Sequence, residues 1–300
     1  MKKGPKVNKK NIEYYGLVKK SFLQFKNNLG LVIPTFNALL LAFILIIILL
    51  LQIGGFYLLF KGIINLNSPG LMLRFPAALA YITIMLIVDI IIMFIIGSYV
   101  KSMQISLFRD VAQNKSIEDL DILKRGKEFF KRYFKINVLL TFLILVPTAF
   151  VVGLYFLIFN VIILSRFTIA WHLGVIILAL FVIALLVYLI FLSYNLLFID
   201  PIIVNTKLNA IKTIRYTIKY SLNNKKHVFM TWFYIFIVMF ILLIVTFILF
   251  DAPMSTLEKT DGIIVGLIIF ALQGLKILAE LIIGIILELF KFNVFFTKKD

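Results

Sequence analysis

Six long runs of apolar residues dominate the chain, and polar segments separate them. A helix needs about 20 consecutive, mostly apolar residues to cross roughly 30 Å of bilayer hydrocarbon. The runs do not alternate as strands of a membrane β-barrel do, and in lipid a helix satisfies its own backbone hydrogen bonds. The pattern therefore predicts an all-α polytopic membrane protein. Its six transmembrane helices are expected at residues 29–60, 76–100, 136–160, 174–199, 228–250 and 262–290.

A basic amphipathic segment precedes each pair of spans. Residues 1–28 form the first, and the connectors 101–135 and 200–227 contain the other two, so residues 29–300 make one six-span membrane domain. Apolar residues recur three and four positions apart in each segment, which is the period of an amphipathic helix. The pattern predicts interfacial helices on the cytoplasmic surface. It indicates either a true internal repeat or the composition that any basic connector needs.

Basic residues on these segments are expected to contact lipid headgroups, because basic and aromatic side chains suit the membrane interface. The expected contacts are Lys19, Lys20, Lys26, Lys127, Lys131, Arg132, Lys212, Arg215 and Lys219.

The positive charge lies on one side of the spans. All but five of the 31 lysines and arginines fall in residues 1–28, the two long connectors and the last ten residues. Cytoplasmic loops carry such an excess, so both termini are expected in the cytoplasm and the protein in the plasma membrane. A net charge of +17 would suggest nucleic acid as the partner of a soluble protein. Here anionic lipid headgroups are the expected partner, at about 1 kcal/mol per basic residue near the surface.

The residues favour binding over catalysis. The chain has no cysteine and two histidines, neither of which has a partner at metal-site or catalytic-triad spacing. The acidic residues Glu118, Asp119 and Asp121 are more typical of a helix start than of a metal site. We therefore expect no enzyme activity, no cofactor and no metal.

Two stretches resemble a known type of membrane protein. The first runs from Gly97-Ser-Tyr-Val-Lys101 to the Phe-Phe-Lys-Arg-Tyr-Phe sequence at 129–134, and the second runs from Phe198-Ile-Asp-Pro201 to Lys219. In outline the chain resembles an uncharacterised prokaryotic family of six-helix integral membrane proteins. That family is similar to the membrane domain fused to some glycerophosphodiester phosphodiesterases. The resemblance implies a six-helix membrane fold without an established activity, since the phosphodiesterase chemistry belongs to a separate soluble barrel.

Three charged residues lie deep within the predicted spans. Asp89 in span two and Glu280 in span six are each about 15 Å from the cytoplasmic end of their span, and Lys276 lies one turn from Glu280. Charged groups there cost roughly 2.5–3.5 kcal/mol each, so they indicate function by default. We expect a polar network of Asp89, Lys276 and Glu280, with Gln273 nearby. It would act either as a proton or transport relay or as a structural lock.

These features lead to two functional hypotheses. The first is a small permease or lipid-handling protein that uses the polar network between spans two and six. The alternative is a non-catalytic scaffold or accessory subunit, bound to anionic lipid through its basic helices. Within span three, Pro147 and Thr148 are expected to kink the helix or to expose a carbonyl toward a cavity.

Overall fold

Helices make up nearly all of the chain that the computed structural model describes, namely residues 13–60, 71–115, 122–165, 168–257 and 262–297. No strand occurs among these residues. A 3-10 turn, Leu29–Val32, precedes the first long helix, and a π-helical turn, Phe247–Asp251, joins the eighth helix to the ninth. In chain order the helices are α1 (Tyr14–Asn27), α2 (Ile33–Phe60), α3 (Leu71–Ala112), α4 (Ile122–Ser165), α5 (Thr168–Asn195), α6 (Ile199–Asn205), α7 (Ala210–Asn223), α8 (Lys225–Thr246), α9 (Ala252–Leu257) and α10 (Ile263–Thr297).

Six helical stretches are long and apolar enough to cross a membrane, so the predicted all-α polytopic fold is confirmed. Each overlaps one of the six predicted spans, in the same order. Their bounds are Leu29–Tyr57, Ala80–Ala112, Gly126–Asn160, Gly174–Asn205, Lys225–Leu257 and Ile264–Thr297.

The helices of spans two and three run well past the apolar segments, which corrects the expected connector. At 1.5 Å per residue the 42 residues of α3 extend for about 63 Å, roughly twice the thickness of the hydrocarbon. Most of the segment 101–135 is therefore the end of α3 and the start of α4. The second amphipathic segment is not a separate interfacial helix but the first turns of α4. The acidic residues of 118–121 lie outside the described residues.

The first and third amphipathic segments are separate helices, α1 and α7. The side chain of Asn209 caps α7 by accepting a hydrogen bond from the Lys212 backbone N–H, at 3.0 Å. The buried face of α7 consists of Ala210 and Ile214 with three hydroxyl residues, whereas Ile211 is exposed. Both helices thus turn part of their apolar stripe away from the bundle. The exposed stripe residues are Tyr15, Phe22 and Leu29 beside α1, and Ile211 and Leu222 on α7.

The buried core lies at one end of the bundle, which we call the packed end. There α1, the last turns of α3, the first turns of α4, α6, α7 and the last turns of α10 meet. Phe108, Phe198, Phe290 and Phe292 are among its largest fully buried side chains. We call the remainder of the six spans the open half. Within the most apolar 18-residue stretch of each span, few residues are buried. In four spans none of these residues is buried, and in the other two only 6% of them are buried.

Hydrogen bonds fix α1 onto the packed end. The Asn293 amide of α10 donates to the Ser21 hydroxyl at 2.8 Å and to the Gln24 side-chain oxygen at 2.7 Å. The Tyr14 hydroxyl lies 3.0 Å from Nδ1 of His227 on α8. These polar contacts add to the packing of Phe25, Leu17 and Val18 against the buried core.

Candidate functional site

The expected network between spans two and six does not form. Asp89 lies on α3, and its Oδ1 accepts a hydrogen bond from the side-chain amide of Gln52 on α2, at 3.1 Å. Lys276 lies on α10, and its Nζ is 2.6 Å from Oδ1 of Asp251, at the end of the π-helical turn. Asp89 therefore bonds to span one, and Lys276 bonds to span five.

The two remaining residues of the expected network face outward. Gln273 and Glu280 are exposed on α10, and neither makes a hydrogen bond or an ion pair with any described residue. Lys276 and Glu280 lie one turn apart on the same helix, but no ion pair joins them. A relay through the membrane would need these groups in mutual reach, and the arrangement does not provide it.

The basic residues expected to contact headgroups divide into two sets. Arg132 donates to the Thr206 carbonyl and lies over the Phe129 ring, with 5.6 Å from its Cζ to the ring centroid, so it joins α4 to the segment before α7. Arg132 and Lys20 are half-buried. The exposed set comprises Lys19, Lys26, Lys127, Lys131, Lys212, Arg215 and Lys219.

A cluster of four charged residues lies where α3, α6 and α10 meet, and sequence reasoning did not single it out. Nζ of Lys101 is 3.4 Å from a carboxylate oxygen of Asp200 and 3.4 Å from Oε1 of Glu288. Nζ of Lys291 is 2.7 Å from the same Glu288 oxygen. Two cations and two anions cancel, and each is at most 26% exposed. The cluster is thus a neutral clamp that ties three spans together.

An apolar groove of about 500 Å³ opens between α4, α5 and α7. Five residues of α4 form one wall, Tyr188 of α5 faces them, and α7 contributes two isoleucines and Arg215. Its volume falls in the range typical of small-molecule sites. The apolar lining residues are Leu139, Phe142, Leu143, Val146, Pro147, Ile211 and Ile214.

Pro147 explains the local chemistry of the groove. Proline has no backbone N–H, so the carbonyl of Leu143, four residues earlier, loses its partner within the helix. The Tyr188 hydroxyl of α5 donates to that carbonyl at 3.0 Å. Leu143 and Pro147 both line the groove, so the carbonyl that the proline frees belongs to a residue of its wall. The hydrogen bond joins α4 to α5 along the groove without a charged group.

Arg215 lies at the α7 side of this groove and is the one charged residue among the described residues that line it. It is exposed and makes no hydrogen bond or ion pair with any described residue. Lys212 and Lys219 lie three residues before it and four after it, so the three share one face of α7. A free guanidinium beside an apolar groove suits an amphiphile with an anionic head.

A second cavity of about 300 Å³ lies between α4, α5 and α10 and reaches Asp200 and Lys291. Both of these residues belong to the neutral clamp, where Lys101 pairs with Asp200 and Glu288 pairs with Lys291. Its charged groups are thus engaged with one another, whereas the guanidinium of Arg215 is not. The groove beside Arg215 is the better candidate for a binding site.

Comparison with protein-family models, with curated proteins and with solved structures finds no match for this chain. The resemblance to the membrane domain of phosphodiesterase fusions stays a prediction.

Sequence reasoning placed Arg215 and Pro147 in separate contexts and did not connect them. Arg215 belonged to a general set of headgroup contacts, and Pro147 belonged to a list of possible kinks. Tyr188 was not singled out, although a tyrosine within an apolar span has a hydroxyl that needs a partner. These residues come together only in the fold, because α7 packs against α4 after the intervening α5 span.

Proposed function

We propose that this multi-pass membrane protein is a lipid-handling protein that holds an anionic phospholipid in the groove between α4, α5 and α7. The observation that carries the proposal is the free guanidinium of Arg215 at the edge of an apolar groove. The acyl chain would lie along α4, and the phosphate would pair with Arg215. This role is binding, not catalysis.

The headgroup, more than the acyl chain, would decide the affinity. Lipid tails are as apolar as a leucine-lined wall, so burying a chain in the groove gains little over leaving it in the bilayer. A guanidinium and a phosphate form charge-assisted hydrogen bonds, and these are roughly twice as strong as neutral ones. Lys212 and Lys219 would add attraction of about 1 kcal/mol each at the surface. Selectivity for anionic over zwitterionic lipid follows.

The charge distribution supports a cytoplasmic location for the packed end and for the headgroup end of this groove. The basic residues of α1, α7 and the ends of α3 and α10 all lie there, as the positive-inside rule requires. The groove would then draw lipid from the cytoplasmic leaflet of the plasma membrane. A cysteine replacing Lys226 should react with an impermeant thiol reagent only after the membrane is opened. Labelling of this cysteine in intact cells would show that the orientation is the reverse of the one proposed.

Of the two roles named in the first hypothesis, lipid handling has more support than a permease. The permease hypothesis relied on Asp89, Lys276 and Glu280 acting together, and each has a different environment. The groove, in contrast, joins an apolar wall and a cation in one place.

The test is lipid binding to the purified protein, measured by native mass spectrometry. Phosphatidylglycerol and phosphatidylcholine of the same chain length are titrated against the detergent-solubilised full chain. We expect phosphatidylglycerol to bind more tightly. Arg215→Gln should weaken its tightest site about tenfold, which corresponds to about 1.4 kcal/mol.

Two further variants separate the groove from general surface charge. Val146→Trp fills the groove without changing any charge and should also weaken binding. Lys226→Gln removes one exposed cation away from the groove and should leave the tightest site unchanged. Equal binding of the two lipids, or equal losses in the Arg215 and Lys226 variants, would contradict the proposal.

A further inference from the structure

The open half of α10 has two distinct faces. Its inward row is half-buried against the bundle and includes Leu272, Lys276 and Ala279. Its outward row is exposed at every position, and its members are spaced alternately four and three residues apart. That spacing is typical of the seam by which one helix packs along another. The outward row consists of Gly266, Phe270, Gln273, Ile277, Glu280 and Gly284.

Glu280 is the one charged residue of this row. It lies four residues, or about 6 Å, from the midpoint of the predicted span 262–290. Its carboxylate makes no hydrogen bond or ion pair with any described residue. Lys276 is the nearest basic residue on the helix, but its ammonium is held by Asp251 at 2.6 Å. A carboxylate at this depth is costly unless a cation or a proton neutralises it.

The rest of the row suits a helix as the neighbour. Only a helix satisfies its own backbone hydrogen bonds within lipid, so a docking segment at this depth has to be one. At Gly266 and Gly284 no described atom beyond the adjoining turns of α10 lies within 4 Å of the position that a Cβ would take, so another backbone has room to approach at both ends of the row. Gln273, two turns from Glu280, offers an amide for hydrogen bonds between helices.

We propose that this outward row of α10 docks a membrane-spanning helix of a partner protein that carries a lysine or arginine at the depth of Glu280. A second copy of this chain fits less well. In a symmetric parallel pair the two Glu280 carboxylates would face each other at the same depth, and like charges repel. The row shares no residue with the lipid groove, so this inference stands apart from the proposed function.

The probe is a synthetic leucine-rich transmembrane peptide with one lysine at the matching depth. The peptide carries a donor dye and is reconstituted into vesicles with the full chain, which carries an acceptor on a single cysteine replacing Thr297. Control peptides have leucine instead of the lysine, or the lysine moved by two turns. Association is followed by energy transfer as the peptide is titrated.

We expect the matching lysine peptide to bind at least about tenfold more tightly than either control peptide. Glu280→Gln should abolish that preference, whereas Leu275→Gln, an exposed change off the row on the same helix, should preserve it. Helical content and elution profile establish that both variants fold. The Glu280 variant should retain phosphatidylglycerol as the wild type does, since Arg215 is intact.

Two results would overturn the proposal. Equal affinity of the lysine and leucine peptides for the wild-type chain would mean that Glu280 recruits no cation. Efficient disulfide formation between copies carrying Phe270→Cys, in a chain without other cysteines, would mean that a second copy occupies the row.

Discussion

The packed end and the open half of this protein are built from the same helices but by different rules. At the packed end, buried phenylalanines lie beside buried serines, threonines and asparagines, and an ion cluster joins three spans. In the open half, the most apolar stretches bury almost nothing, and polar side chains meet in isolated pairs. Apolar content alone therefore does not locate the core of this molecule.

The difference follows from the solvent. Leucine gains nothing by leaving lipid for another leucine, so apolar side chains in the bilayer give no driving force for helix association. In the proposed orientation the packed end projects from the bilayer, so water is the competitor there, and burying the same side chains is favourable by about 25 cal/mol per Å². Small hydroxyl residues there let backbones approach closely. Ser102 of α3, for example, donates to the Gly126 carbonyl of α4 at 2.7 Å.

The largest expected effect on stability comes from a substitution in α10, the helix that runs through both regions. Glu288→Gln at the packed end removes the anion that Lys101 and Lys291 share, and leaves Lys291 without its partner. Breaking a buried ion pair costs roughly 3–5 kcal/mol. Because this cluster is partly exposed, we expect a loss at the lower end, about 3 kcal/mol. The measurement is the free energy of unfolding in detergent micelles.

The control lies two turns earlier on α10. Glu280→Gln makes the same chemical change in the open half, where no described residue pairs with the carboxylate. Its unfolding free energy should equal or exceed that of the wild type. If the two variants lose the same stability, the contrast between the packed end and the open half is wrong.

A second pair of variants lies on α4 and tests packing instead of charge. A Cβ at Gly126 would lie 2.7 Å from Met103 Cγ and 2.9 Å from the Tyr99 ring, whereas a Cβ at Gly153 would have no neighbour within 4 Å. Gly126→Leu overpacks the contact of α3 with α4 and should cost about 2 kcal/mol. Gly153→Leu should be neutral or slightly stabilising, because glycine is a poor helix former. The measurement is the melting temperature of both variants. Equal melting temperatures would contradict the difference in packing between the two glycine positions.

The fold was predictable from sequence because the bilayer imposes a simple requirement on span length and hydropathy. All six spans appear in their expected order. The error at 101–135 arose because a helix that leaves the bilayer does not have to end there. The basic first turns of α4 carry the same amphipathic period as a free interfacial helix. Their packing on α3, for example that of Gly126 against Tyr99 and Met103, distinguishes them.

Polar partners were less predictable than spans. Asp89, Lys276 and Glu280 share a depth, and equal depth suggested contact. Which helices are neighbours depends on packing around the bundle, and hydropathy contains no information on that. Gln52 and Asp251, the actual partners, were visible as polar residues but had no feature that selected them. The neutral clamp was overlooked because each of its charges lies near the end of a span, where charges are ordinary.

The smallest expected effect concerns α1 and alkaline pH. Burial, only partly offset by a hydrogen bond with Thr231, raises the pKa of Tyr14 above its ordinary value of 10. Burial also raises the pKa of Tyr220. Below pH 10 both phenols are neutral in the folded and unfolded states. Above pH 10 the unfolded state ionises first and releases protons, so stability at the packed end should fall as pH rises.

Tyr14→Phe separates this contribution from the other groups that titrate at alkaline pH. At pH 8 the variant should be less stable by about 1 kcal/mol, because the hydrogen bond with His227 is lost. Between pH 8 and 10.5 its melting temperature should fall less than that of the wild type, by an amount worth less than about 1 kcal/mol. Tyr15→Phe, at the neighbouring exposed position, should follow the wild-type curve. If Tyr14→Phe follows that curve as well, the docking of α1 does not depend on a neutral, buried phenol. The start of α1 then does not belong to the packed end.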